Sequence, residues 1–70
     1  MSRLERAAMV REIRKSLGLS QQELADGLHL KSRGTITRWE SGTVEVTDDK
    51  LHHLKLFASL FKAVAEIVEP

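Results

Sequence analysis

Cysteine is absent from the 70 residues, which excludes disulfides and thiolate metal sites and is compatible with a reducing compartment. No apolar run approaches the roughly 20 residues needed to span a bilayer. The opening MSRLERAAMVR is too charged for a signal peptide. Internal repeats and low-complexity tracts are lacking. So are the constellations of an enzyme: no Ser/His/Asp or Cys/His set, no paired-carboxylate site and no phosphate-cradling glycine loop is visible. His52 and His53 are adjacent and diverge on a helix, while His29 lies far off in a turn, so a zinc centre is not indicated. No cofactor and no small-molecule effector is expected.

What remains is an ordinary globular chain, 41% apolar, expected to form one domain over residues 1–70 that is small enough to be marginal as a monomer. The net charge of +1 hides an asymmetry. Residues 1–38 hold eight Lys and Arg against four Asp and Glu, whereas residues 39–70 hold three against six. A basic front half suits phosphate and an acidic back half would sit away from it; the alternative is that both are solvated helix faces.

Ser2 can cap a first helix running to about Leu17. Its stripe is Leu4, Ala7, Ala8, Val10, Ile13 and Leu17, and Gly18 ends it. Arg14 lies beside that stripe, an odd place for a charge. Ser20 with Glu23 forms a capping box, and Leu24, Ala25 and Leu28 share one face of a second helix. Gly27 is a weak point within it, costing about 1 kcal/mol against alanine. Ser32 is a second cap candidate, opening a helix from about Arg33 to Ser41. Ile36 and Trp39, three apart, point inward; Arg33, Thr37 and Arg38 share the outer side. Trp39 fits a core residue better than a stacking platform. Gly42 is a stop signal.

Residues 20–42 resemble the helix-turn-helix of the Cro/C1-type (Xre-like) repressor family. The matching runs are Ser20-Gln21-Gln22-Glu23-Leu24-Ala25, then Leu28, then Thr35-Ile36-Thr37-Arg38-Trp39-Glu40-Ser41-Gly42. With the first helix, the likeness covers roughly the first 42 residues. Family members usually have one residue fewer after Leu28, often with glycine where His29 stands, so Lys31 looks like an insertion and the turn should be longer. The resemblance implies an all-α, lambda-repressor-like bundle of four or five helices. It implies base reading at Arg33, Gly34, Thr37 and Arg38, a phosphate contact at Gln21, and an ion pair between Arg14 and Glu40.

The residue chemistry points the same way. Arginine bonds bidentately to guanine, and threonine can touch the thymine methyl, so Arg33 and Arg38 are the first candidates and Thr35 and Thr37 the next. The alternative for each arginine is a phosphate contact or a solvated charge. Gln21 sits where free helix amides and a polar side chain meet phosphate; Gln22, Lys31 and Ser32 are further phosphate candidates.

Val44 and Val46 alternate with polar neighbours, which allows a short extended piece, and Glu45 stands where relatives often carry basic residues. Thr47 can cap a final helix to about Val68 whose apolar residues exceed one stripe. Leu51, Leu54, Ala58 and Phe61 can cover the first helices. Phe57, Leu60, Val64 and Ile67 are then left over, with Val68 and Phe61 at their edge. Residues 47–70 are thus expected to pack and to join two copies; the alternative is one small core using both sets. The expectation is a cytoplasmic, nucleoid-associated DNA-binding regulator of a bacterium or an infecting phage. It would act as a homodimeric (auto)repressor on double-stranded DNA and stay clear of membranes. The competing expectation is an antitoxin or interaction module using the last helix.

Overall fold

The computed structural model describes residues 2–68, without the side chain of Val68. Its elements are α1 (Arg3–Ser16), α2 (Gln21–Gly27), α3 (Gly34–Ser41) and α4 (Asp48–Val68), with no strand among the described residues. The helices start where the chain offers a hydroxyl to their free amides. The Ser2 and Ser20 hydroxyls accept from the Glu5 and Glu23 N–H groups, each at 3.1 Å. The two glutamates return bonds to the cap amides at 3.0 and 2.8 Å, so both capping boxes are closed. Those bonds hold the Glu5 and Glu23 carboxyls below their ordinary range. Thr47 caps α4 through the Lys50 N–H at 3.2 Å.

The exception is α3. Its cap residue is Arg33, already in helical conformation and making no side-chain cap bond, not Ser32. A capping hydroxyl needs an extended residue to aim it at the first turn. Here the Leu30-Lys31-Ser32 connection enters the helix through a turn, with Ser32 O accepting from Thr35 N–H at a long 3.4 Å.

Three helices end alike, on a residue in left-handed conformation: Gly18 (φ 70°), His29 (φ 59°) and Gly42 (φ 77°). The following amide then bonds back across the last turn. Leu19 donates to Arg14 O at 3.3 Å, Leu30 to Ala25 O at 2.9 Å and Thr43 to Arg38 O at 3.0 Å, the Schellman arrangement. Two sites have the glycine that this backbone favours. At the third, His29 carries a Cβ into a region that costs an L-residue about 1–2 kcal/mol. Replacing His29 with glycine is therefore expected to stabilise the protein by about 1 kcal/mol, raising the melting temperature by roughly 4–8 °C. A melting curve that failed to move upward would mean that the imidazole makes compensating contacts.

The core gathers Val10 of α1, Leu24 and Ala25 of α2, Ile36 and Trp39 of α3, Val46 of the link, and Leu51 and Leu54 of α4. The link is not a strand: Val46 plugs the core while Val44 is exposed. Ala25, fully buried, lets α3 approach α2. Gly27 has a specific purpose, because a Cβ there would fall 2.6 Å from Cζ of Phe57. Its bare backbone seats the Phe57 ring. This changes the expected division of α4. Phe57 packs on the core, with Leu51 and Leu54 buried and Ala58 half-buried. Phe61 lies at the surface, its ring centroid 5.9 Å from that of Phe57. From Ser59 to Ile67 every side chain is exposed.

Candidate nucleic-acid interface

α3 is held from behind by Ile36 and Trp39, which are 0% and 5% exposed. An inward Trp39 is thus unavailable for stacking. Helical spacing then obliges Thr37 and Arg38 to face outward, and both are exposed, as is Arg33 at the helix start. Gly34 and Thr35 are half-buried in the first turn. The Arg38 guanidinium lies back over Gly34: a Cβ there would sit 3.2 Å from Nη1 of Arg38 and 3.3 Å from Oγ of Ser32. The missing side chain at Gly34 makes room for a cation at the tip of α3. Lys31 and Ser32, in the turn leading to that tip, are exposed.

The other side of α3 is fixed by an ion pair. Arg14 Nε donates to Glu40 Oε2 at 2.6 Å and Nη2 to Oε1 at 3.0 Å, while Nη1 reaches Leu19 O at 3.0 Å. Glu40 is 6% exposed. Burial alone would raise its carboxyl pKa. The hydrogen bonds from Arg14 and Gln21 and the charges of Arg14 and Arg11 together outweigh burial, and the carboxyl titrates below its ordinary range. The same bond raises the Arg14 guanidinium.

Gln21 is drawn into this network. Its Nε2 donates to Glu40 Oε1 at 3.3 Å, and its Oε1 accepts from the Thr37 hydroxyl at 2.9 Å. Gln22 instead turns to Asp26, with Nε2 donating to Oδ1 at 3.0 Å on the exposed side of α2. The Gln21–Thr37 bond is not signalled by the sequence, since glutamine at the start of a helix reads equally as a phosphate ligand.

The front-half basic charge divides in two. Arg11 Nη2 donates to Glu40 O at 2.9 Å, Arg6 Nη1 to Val46 O at 2.8 Å and Arg3 Nη1 to Gly42 O at 3.5 Å. Arg6 also pairs with Asp48. With Arg14, these α1 arginines clamp the carbonyl-rich end of α3, where the helix dipole is negative, and the link behind it. The cations of the turn and α3, Lys31, Arg33 and Arg38, lie toward the opposite end. Two pairs of arginines three apart, Arg3 with Arg6 and Arg11 with Arg14, beside the apolar stripe of α1 are the available signal for the clamp.

A short α2, a turn and an outward-facing α3 locked to α1 define a helix-turn-helix DNA-binding unit. The family model described as Helix-turn-helix matches residues 10–52, more than half of the chain. The protein belongs to the Cro/C1-type (Xre-like) helix-turn-helix family, whose members are DNA-binding transcription regulators. No curated protein and no solved structure gives a significant match. No helix among the described residues is long and apolar enough to cross a membrane.

Proposed function

We propose that this protein is a cytoplasmic, nucleoid-associated (auto)repressor that binds a near-palindromic operator as a homodimer and occludes a promoter. The observation that carries the reading is α3 itself: its apolar side is fixed in the core and its free side carries Arg33, Thr37 and Arg38. In the major groove such a helix points its first turns at base edges. Arg33 and Arg38 would read guanine O6 and N7, Thr37 a neighbouring pair, and Gly34 and Thr35 would border the bases through the first turn. Lys31 and Ser32 would hold phosphates through their side chains, and Gln21 and Gln22, whose side-chain amides are engaged within the protein, through their backbone N–H groups at the start of α2. Residues 1–70 would act as one binding domain without cofactor or effector. Selection from a randomised duplex pool at near-physiological salt tests this. Enrichment of twofold-symmetric sites, with half-sites about 34 Å apart, is expected. Weak, salt-sensitive binding without enrichment would overturn it.

The second half of α4 supports the dimer. Leu60, Val64 and Ile67 are 67%, 57% and 82% exposed, and they continue the line begun by Phe57 and Phe61; the Val68 side chain lies outside the described residues. With Phe57 committed to the core, the exposed Leu60, Val64 and Ile67 keep the alternating four- and three-residue spacing of a heptad seam, and Lys55, Lys62 and Glu66 fall off it. Ten or so residues of helix are marginal in water without a partner. Leu60→Glu with Val64→Glu is expected to give a folded monomer in sedimentation and to weaken operator binding at least tenfold. If the unaltered protein sediments as a monomer at micromolar concentration, the seam belongs to a different protein, as in an antitoxin.

A further inference from the structure

We propose that Gln21 is a positioning residue that sets the hydrogen-bonding polarity of Thr37, so that Thr37 selects an A·T pair and disfavours G·C. The inference rests on the reading of α3 as the base-reading helix and deepens it. The Thr37 hydroxyl has one proton, and two protein acceptors lie within reach of it: Gln21 Oε1 at 2.9 Å and Arg33 O at 3.2 Å. Arg33 O already accepts the Thr37 N–H at 2.9 Å, which leaves the glutamine oxygen as the better partner.

The glutamine cannot turn its amide around. Its Nε2 donates to Glu40 Oε1 at 3.3 Å, and a carboxylate held below its ordinary pKa range accepts only. A flipped amide would set oxygen against oxygen. The buried Arg14–Glu40 pair therefore orients Gln21, and Gln21 takes the Thr37 proton. What Thr37 offers outward is an acceptor oxygen and a methyl group.

In the major groove an acceptor is complementary to the amines of adenine N6 and cytosine N4, not to the guanine O6 and N7 acceptors. The methyl group is complementary to the thymine C5-methyl. Only an A·T pair offers an amine and a methyl together.

The test compares selections from a randomised duplex pool for the unaltered protein, Thr37→Val and Gln21→Met, with melting curves to show that each is folded. Thr37→Val keeps the shape and removes the acceptor. It is expected to alter one base pair per half-site, A·T in the unaltered protein, lowering its preference over G·C by about 3- to 10-fold. Gln21→Met is expected to admit G·C at that same pair, because the hydroxyl, left only with the longer contact to an Arg33 O that already accepts an N–H, can turn to donate to guanine. The proposal is overturned if Thr37→Val alters no pair, if the altered pair is G·C in the unaltered protein, or if Gln21→Met lowers all enrichments evenly. Should the unaltered protein enrich no sequence, the reading of α3 falls and this inference with it; if Gln21→Met does not fold, Gln21→Glu, which keeps an acceptor for Thr37 but loses the donor to Glu40, replaces it and is expected to keep A·T at that pair, and loss of the A·T preference there would overturn the proposal.

Discussion

Replacing Arg14 with alanine is expected to lower the melting temperature by roughly 12–40 °C. The substitution leaves the Glu40 carboxylate buried at 6% exposure with its main partner gone. Breaking such a pair from one side costs about 3–5 kcal/mol. A chain of this length has about 4–10 kcal/mol in total, and each kcal/mol is worth about 4–8 °C. The origin of the effect can be separated from lost packing. Arg14→Met with Glu40→Leu removes both charges and should recover most of the stability, since apolar replacement of a buried pair is often neutral.

The pH dependence of the Glu40 contribution should invert as well. In the unaltered protein the Glu40 pKa is depressed below its ordinary 4.5, so its contribution is present above that value and lost as pH falls through the folded one. With Arg14 removed, burial, the largest single influence on Glu40, is opposed only by the Gln21 hydrogen bond and the Arg11 charge and is expected to raise the carboxyl. Stability from this group is then present below the ordinary value and lost as pH rises through the raised one. Between pH 4 and 6 the gap in melting temperature between the two proteins should therefore widen as pH rises, since the capping carboxylates Glu5 and Glu23 act alike in both. Parallel slopes would mean that Glu40 is solvated in the variant.

The second large effect is on binding. Arg33→Ala and Arg38→Ala should each weaken operator binding by about 2–6 kcal/mol in a dimer, roughly 30-fold to 10⁴-fold. A bidentate guanine contact is worth about 1–3 kcal/mol and occurs in both half-sites. Because both side chains are exposed, folding stability should stay within about 0.5 kcal/mol. Each variant should also relax selection at its own base pair. Lys31→Ala makes the contrast: a phosphate contact lowers all affinities alike and reduces the salt slope by about one per site. If Arg38→Ala behaved like Lys31→Ala in a titration series, Arg38 would be a phosphate ligand.

Much of this arrangement is legible in the residues because it is local. Ser2 with Glu5, Ser20 with Glu23 and Thr47 announce helix starts that the structure places where their hydroxyls reach, and Ile36 and Trp39 fix the inner side of α3 by spacing alone. What escapes is set by partners distant in the chain. Whether Phe57 or Phe61 packs inward depends on the bare backbone of Gly27, thirty residues earlier. Ser32 looks like a cap, but the chain enters α3 through Arg33 already in helical conformation, which leaves its hydroxyl no capping geometry. Arg14 is legible as the partner of Glu40, but Arg3, Arg6 and Arg11 count only as part of a basic front half, because their acceptors, the carbonyls of Gly42, Val46 and Glu40, have no signature in side-chain composition.

The seat of Phe57 on Gly27 fixes the angle at which α4 leaves the core. Beyond Phe57 the arm of α4 runs another ten residues to Ile67, about 15 Å at the helical rise. A tilt of about 10° at that seat displaces the tip by about 2.6 Å, most of the roughly 3.4 Å between neighbouring base pairs. In a dimer joined along that arm, the bulk of one side chain at position 27 would set the spacer length of the operator, remote from every residue that reads a base.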